Sequence, residues 1–254
     1  MKWVSDSFAK YRAVDAINAS FLKTFITRSP AHAHHERLHP KTPTPAMEFG
    51  TAVHDHILLD RPLVVEPEFK GAGSVIARKS WRNEYAGTDA LIVDTDEAQA
   101  IAGIKKQVDG LGILRPGVET EHSGYFENYK IRCDAINFET GVIYDIKTTA
   151  DASSKSFPRD IFKYGYDIQA AWYLHVANAI NADKFLKFYF IAIEKSAPHG
   201  ISIFELSQDV LDNATKKINR ALSQIRDCQA AGYWPCYEPD SQIVELPKWE
   251  AFSE

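Results

Sequence analysis

From Gly124 to Lys147 the sequence alternates between buried-type and exposed-type residues, and this stretch limits the fold more than any other. Tyr125-Phe126, Lys130 to Phe138 and Val142 to Lys147 read as three short strands, with Gly141 marking the turn between the last two. On either side the period is helical. Asn18 to Arg28 carries Phe21, Leu22, Phe25 and Ile26 at helical spacing, and Ser29-Pro30 stops it. Ala46 to Leu59 predicts a second helix, ended by Asp60-Arg61-Pro62. Residues 62–96 read as short strands and loops, after which Asp96 can cap a helix running through Gln107 towards Leu111. Tyr164 to Ala179 predicts a helix. Leu186 to Ile193 and Ile201 to Leu206 are two more strands around the turn Ser196 to Gly200. A long amphipathic helix from Gln208 to about Ala231 and an irregular tail complete the chain. Helices flanking a mixed sheet make this an α/β chain, most simply one domain over residues 1–254.

The chemistry gathers on the strands. Asp145 and Lys147 are two apart and so project from one face, while Ile146 points into the core. Asp134, on the preceding strand, lies where a hairpin partner brings it beside Asp145. Two carboxylates on neighbouring strands suit a hard divalent cation, because magnesium takes oxygen ligands in octahedral geometry. A lysine beside them can orient or deprotonate a water, or steady a phosphate, and the set suits phosphodiester hydrolysis. Acid, any residue, lysine is a short pattern, and Glu68-Phe69-Lys70 repeats it with no strand before it that offers a partner aspartate. At Asp145 the plain alternative is an edge-strand salt bridge. Five neighbours favour the site. Gly50 and His54 lie one turn apart on a helix, Gln169 and Tyr173 share a helical face, and Glu121 stands just before the strand at Gly124.

Composition excludes several classes. Three cysteines, Cys133, Cys228 and Cys236, are too few and too scattered for a disulfide framework or a zinc site, so a reducing, cytoplasmic setting is expected. The start of the chain is broken by charges every few residues and does not read as a signal peptide. No apolar run reads as a membrane span. The net charge of −5 argues against nucleic-acid binding by bulk attraction, so any such binding rests on a local site. His32, His34, His35 and His39 lie in a Pro-rich connection from Ala31 to Pro45, which reads as a solvated loop.

In order and spacing these pieces resemble the RecE-type exonucleases (exodeoxyribonuclease VIII), in the RecB-like branch of the PD-(D/E)XK nuclease superfamily. The matching segments are Ser29-Pro-Ala-His32, Gly50-Thr-Ala-Val-His54, Glu121-His-Ser123, Lys130-Ile-Arg-Cys-Asp134, Asp145-Ile-Lys-Thr-Thr149 and Tyr166-Asp-Ile-Gln-Ala-Ala-Trp-Tyr173. The resemblance implies a mixed central sheet flanked by helices, with a catalytic core at about 46–206 and the terminal helices packed on it. It implies that His54, Asp134, Asp145 and the Ile146 carbonyl hold magnesium, with manganese as a substitute. Glu121, or Glu119 two residues earlier, would join a second metal. Lys147 would position the attacking water, and Gln169 and Tyr173 would orient the lysine or contact DNA. The implied activity is digestion of linear double-stranded DNA from the 5′ end to mononucleotides. The implied partners are DNA ends, a single-strand annealing protein and further copies in a ring-shaped oligomer such as a tetramer. Arg78, Lys79, Trp81 and Arg82 offer basic charge with an aromatic that could stack on an end base, though a solvated surface loop also fits them. Arg132 shares the face of Asp134 and is either a phosphate contact or a salt-bridge partner of the acids.

Overall fold

The computed structural model describes residues 2–71, 73–182, 184–185 and 187–238. Its centre is a six-stranded sheet in the order β1-β4-β5-β6-β7-β8, built from Lys2–Val4, Val118–Phe126, Tyr129–Asn137, Val142–Thr149, Lys187–Glu194 and Ile201–Glu205. Neighbours are antiparallel except β6 and β7, which run parallel. A parallel pair needs a crossover, and α7 (Phe157–Lys163) with α8 (Tyr166–Asn181) supplies it. A small parallel pair, β2 (Leu63–Val65) and β3 (Leu91–Val93), stands apart. The fold is therefore mixed α/β, with a mostly antiparallel sheet flanked by helices.

Strand alternation divides the apolar residues between two layers. On β7, Phe190 and Ala192 pack with Leu22 and Phe25 of α2 (Ala19–Thr27), Trp172 and Val176 of α8, and Ile218 and Leu222 of α9 (Gln208–Ala231). The intervening Ile191 and Ile193 pack with Val53 and Ile57 of α4 (Pro45–Leu59) and with Ile101, Ile104 and Val108 of α6 (Thr95–Leu111). Burying a Leu, Ile or Phe side chain stabilises by about 1.5–3 kcal/mol, so both layers hold the sheet rigidly between helices. β6 lies inside the sheet, between β5 and β7. Asp145 is therefore not on an edge strand, although it does form an ion pair with Lys147. The decoy pair Lys70 and Glu68 is a surface contact at 2.9 Å, with both side chains at least three-quarters exposed.

Several local expectations are corrected. Ala31 to Leu38 is not loop but part of α3 (Pro30–Leu38). Ser29-Pro30 does stop α2, yet the same dipeptide starts the next helix: Ser29 accepts from the His32 amide, and Pro30 fills a first-turn position that needs no N–H. α6 is capped by Asp94 rather than Asp96, through a reciprocal box with Glu97. α8 begins at Tyr166, not Tyr164, because Gly165, at φ 64°, separates it from the unforeseen α7. The predicted strand starting point Leu186 and residues 239–254 of the tail lie outside the described residues.

The basic stretch around Ala77 to Arg82 is helical, in α5 (Ser74–Glu84), although none of its residues is buried. Its anchor is polar. Arg78 and Arg82 each make two hydrogen bonds to the Glu66 carboxylate, at 2.5 to 2.9 Å. Those bonds, from Arg82 first and then Arg78, hold the Glu66 carboxyl far below the usual carboxylate range. Glu66→Gln should cost less than about 1 kcal/mol of global stability, the usual scale for exposed ion pairs. It should nevertheless loosen α5, so limited trypsin digestion should cut at Arg78, Lys79 or Arg82 sooner than in the wild type. Equal cutting rates would show that α5 does not depend on Glu66.

Candidate active site

The β5–β6 hairpin pairs Ala135 with Tyr144 and Ile136 with Ile143, a register that sets Asp134 opposite Asp145. On the other side, Thr120 pairs with Ala135 and His122 with Cys133, which sets Glu121 opposite Asp134. Three acids thus occupy one level of three adjacent strands. Glu121, inside β4 rather than ahead of it, takes a left-handed backbone at φ 51°, uncommon for a non-glycine residue. Asp134 accepts the Ile146 amide at 2.7 Å, so the side chain takes the place of a rung of the ladder.

Each acid faces a cation. Asp145 is buried and pairs with Lys147. Its Oδ1 nevertheless makes no hydrogen bond of good geometry, while Oδ2 accepts from Gln169 at 2.5 Å. Asp134 lies 3.4 Å from Nδ1 of His54, whose Nε2 is 2.8 Å from the Ile146 carbonyl. Glu121 accepts from Nε of Arg132 at 2.5 Å. Glu119 points elsewhere, to His122 at 2.9 Å.

Burial and opposite charge compete at every group. Burial opposes the imidazolium of His54, but the Asp134 charge and hydrogen bond outweigh it and push the pKa up to about 9. Burial also opposes the Asp134 carboxylate, and His54 overcomes it, so that group is lowered. Asp145 is raised, first by burial and then by the Asp134 charge, with Lys147 offsetting only part. Lys147 is raised despite burial, chiefly by Asp145 and then Asp134. Glu121 is raised by burial and by Asp134.

His54, Glu121 and Asp134 each offer a ligand atom within 4.8 Å of the others. Two carboxylates and one imidazole are a donor set that fits a divalent cation, and Asp145 lies outside this group, with its Oδ1 against the Lys147 ammonium. In the arrangement described, His54 bonds the very carbonyl of Ile146 that was expected to share the metal with it.

The other expected residues divide. Gln169 holds Asp145 rather than the lysine. Tyr173 is buried in the core, and its hydroxyl donates to the Arg132 carbonyl at 2.9 Å, touching neither Lys147 nor solvent-facing surface. Arg132 is the salt-bridge partner of the acids, not an open cation. Arg78 and Arg82 are engaged with Glu66, and Lys79 and Trp81 lie with them on α5 rather than beside the three acids. Two contributors carried no role in the sequence reading. The Lys147 ammonium sits 4.9 Å from the Tyr166 ring centroid, and Lys23 of α2 sits over the same ring at 5.5 Å. Tyr166 opens a segment already singled out by its order, whereas nothing in the spacing of α2 marks Lys23.

Beside Lys147 and His54 opens a cleft of about 650 Å³, bounded by Met47 and Gly50 of α4 and by Lys163, Tyr164, Tyr166 and Lys195. Among the described residues no helix is long and apolar enough to cross a membrane.

Residues 18–245 match a family described as a PDDEXK-like domain of unknown function (DUF3799). No curated protein matches the chain by sequence. A crystallised protein of Eubacterium rectale assigned as an exonuclease is similar in fold, with a TM-score of 0.65 at 16% identity, over 97% of this chain and 96% of that one. A phage-related exonuclease of Haemophilus somnus 129PT aligns over 71% of this chain and 95% of its own, at 14% identity and a TM-score of 0.37. Because the family match runs through β2 to β8 and takes in His54, Asp134, Asp145 and Lys147, the chain belongs to this PDDEXK-like family.

Proposed function

We propose that the chain is a magnesium-dependent exodeoxyribonuclease of RecE type, removing 5′-mononucleotides from the 5′ ends of linear duplex DNA and leaving 3′ overhangs. One observation carries the reading: Glu121, Asp134 and Asp145 stand at one level of three adjacent strands, with His54 and Lys147 against them. His54, Asp134, Asp145, Glu121 and the Ile146 carbonyl would hold the cation. When bound, a divalent ion supplies Lewis-acid polarisation of the phosphate and a water of lowered pKa.

The chain's own groups do the rest. Lys147, steered by Asp145 and by the Tyr166 ring, orients the attacking water toward the phosphorus. Gln169 fixes the Asp145 carboxylate, and Tyr173 fixes β5 through the Arg132 carbonyl. In-line attack breaks the P–O3′ bond: O3′ of the terminal nucleotide leaves as a hydroxyl, that nucleotide keeps the 5′-phosphate it already bore, and the new P–O bond completes the 5′-phosphate of the shortened strand, with no covalent enzyme intermediate. The cleft suits one or two nucleotides, since small-ligand sites span about 300–1,000 Å³. Lys163 and Lys195 face it as sources of phosphate attraction, which lets an acidic chain bind DNA locally. We extend the reading to a one-domain chain acting as a ring-shaped homo-oligomer that delivers 3′ strands to a single-strand annealing partner.

The test uses linear duplex labelled at the 5′ or the 3′ end and a covalently closed circle, each with magnesium, manganese or EDTA. Mononucleotides should leave the 5′ label first, only with metal, and the circle should stay intact. Cutting of the circle would replace the exonuclease with an endonuclease of restriction or repair. Early loss of the 3′ label would reverse the polarity, and activity in EDTA would remove the metal from the mechanism.

A further inference from the structure

The Glu121 carboxylate does not hold its place alone. Arg132, whose side chain is only 9% exposed, reaches it through Nε and turns Nη1 the other way. Nη1 donates to the main-chain oxygen of Asp6 at 2.8 Å, to Oδ1 of Asp6 at 3.3 Å and to the Ser123 hydroxyl at 3.0 Å. Asp6 is fixed in turn. Its Oδ1 accepts from Ser123 and its Oδ2 from the Tyr125 hydroxyl, both at 2.7 Å. Against burial, these two hydrogen bonds and the Arg132 charge keep its carboxyl below the usual range.

The first strand puts Asp6 there. β1 pairs Trp3 with Gly124 and Val4 with Ser123, so the chain leaves β1 beside the side chains that grip Asp6. Close approach is possible because residue 124 lacks a side chain: a Cβ there would meet the Trp3 ring at 2.9 Å. Trp3 is pinned from beyond by Asn181, which accepts its indole N–H at 2.5 Å, and by an edge contact to Phe138.

A guanidinium beside a metal-binding carboxylate is a competitor for it. Free to rotate, Arg132 could cap both oxygens of Glu121 in the bidentate form that arginine favours. Held by Asp6 on its far edge, it engages only Oε2, and Oε1 has no hydrogen-bond partner among the described residues. From this geometry we infer that Asp6 is a positioning residue for the metal site: it tethers Arg132 so that Glu121 keeps one oxygen for a cation. The inference rests on the metal reading above and adds to it a residue that touches neither metal nor substrate.

The experiment is direct Mn2+ binding, followed by calorimetry and by loss of the free-ion spin-resonance signal, with no DNA present. It compares wild type, Asp6→Asn and, as a control for the lost charge, Asp15→Asn in the surface pair with Arg37. All are measured at a temperature where the far-ultraviolet spectrum shows the metal-free proteins folded. Asp6→Asn should weaken Mn2+ binding by about tenfold, the scale of groups that orient metal ligands, while Asp15→Asn should bind as wild type does. Should Asp6→Asn fail to fold, Tyr125→Phe decides, because it removes one bond to Asp6 without changing charge; a weakening of about twofold or more is then expected. Equal affinity in wild type and the deciding variant, or an equal loss in Asp15→Asn, would overturn the role of Asp6 alone. Absence of Mn2+ binding by the wild type would overturn the metal reading and this inference with it.

Discussion

Lys147→Ala is expected to lower metal-dependent release of mononucleotides by about a hundred- to ten-thousand-fold, the range for losing a positioned proton-transfer or charge-stabilising group. The side chain is held on three sides, by Asp145, by the Tyr166 ring at 4.9 Å and by Phe190 at 5.9 Å. Its ammonium is therefore oriented before substrate arrives. Truncation also strands Asp145, whose carboxyl burial already raises and whose largest opposing influence is Lys147. In the variant the Asp145 carboxyl should be raised further, so metal affinity should fall along with turnover. Lys147→Arg should not rescue, because a bulky planar guanidinium cannot place the same compact charge against the buried Asp145 carboxylate. The assay is label release from linear duplex at saturating magnesium, with circular dichroism to confirm the fold. A variant that digests DNA within about threefold of wild type would remove Lys147 from the chemistry, since that is far below the expected range.

The second large effect joins activity to pH. Asp134→Asn keeps an oxygen to accept the Ile146 amide but removes the charge that holds His54 protonated. Activity should fall by about a thousandfold, as for loss of a charged metal ligand at a site of this kind. Stability of the metal-free protein should change its pH dependence as well. The folded pKa of His54, about 9, lies above the ordinary value of 6.5. A raised pKa means that the folded state binds the extra proton, so this contribution is complete below about 6.5 and is lost as pH rises through about 9. Its ceiling is about 3 kcal/mol from the size of the shift. Lys23 acts in the opposite direction: burial, and then Lys147, push it down to about 8, so its penalty fades as pH rises above that value. Lys23 is present in both proteins, so its contribution cancels from the difference between wild type and Asp134→Asn, in which His54 is the group whose value of about 9 falls inside the range scanned. Urea unfolding in EDTA at pH 6, 7.5 and 9.5 should show the wild-type advantage shrinking steadily with pH. A difference that stays constant across that range would mean that His54 is not the group responsible.

Much of the fold could be read from local pattern because the pattern is itself the cause. α4 and α9 run where their apolar spacing and end signals put them, and the β5–β6 hairpin follows from alternation and a glycine turn. Other elements are misread or not foreseen from local pattern, for separate reasons. Ser29-Pro30 both ends one helix and starts another, and a boundary reads the same from either side. α5 buries none of its residues, and its polar partner is Glu66, eight residues before it begins. β1 has three residues, too few to show a period, and owes its place to the contact of Trp3 with Gly124.

At the candidate site, local pattern is enough to put Asp145 and Lys147 on one face, Asp134 one hairpin away, and Ile146 in the core between them. Those relations are set by strand alternation, which acts within a few residues. Tertiary packing is what sets Glu121 rather than Glu119 beside Asp134, pairs Arg132 with Glu121 and Asp6, withdraws Tyr173 into the core, and brings Asp6, Lys23 and Tyr166 around the acids. These depend on register across three strands and on helices packed from distant parts of the chain. Electrostatic partnership is fixed by distance in space, and distance between remote segments is a product of packing rather than of any local period.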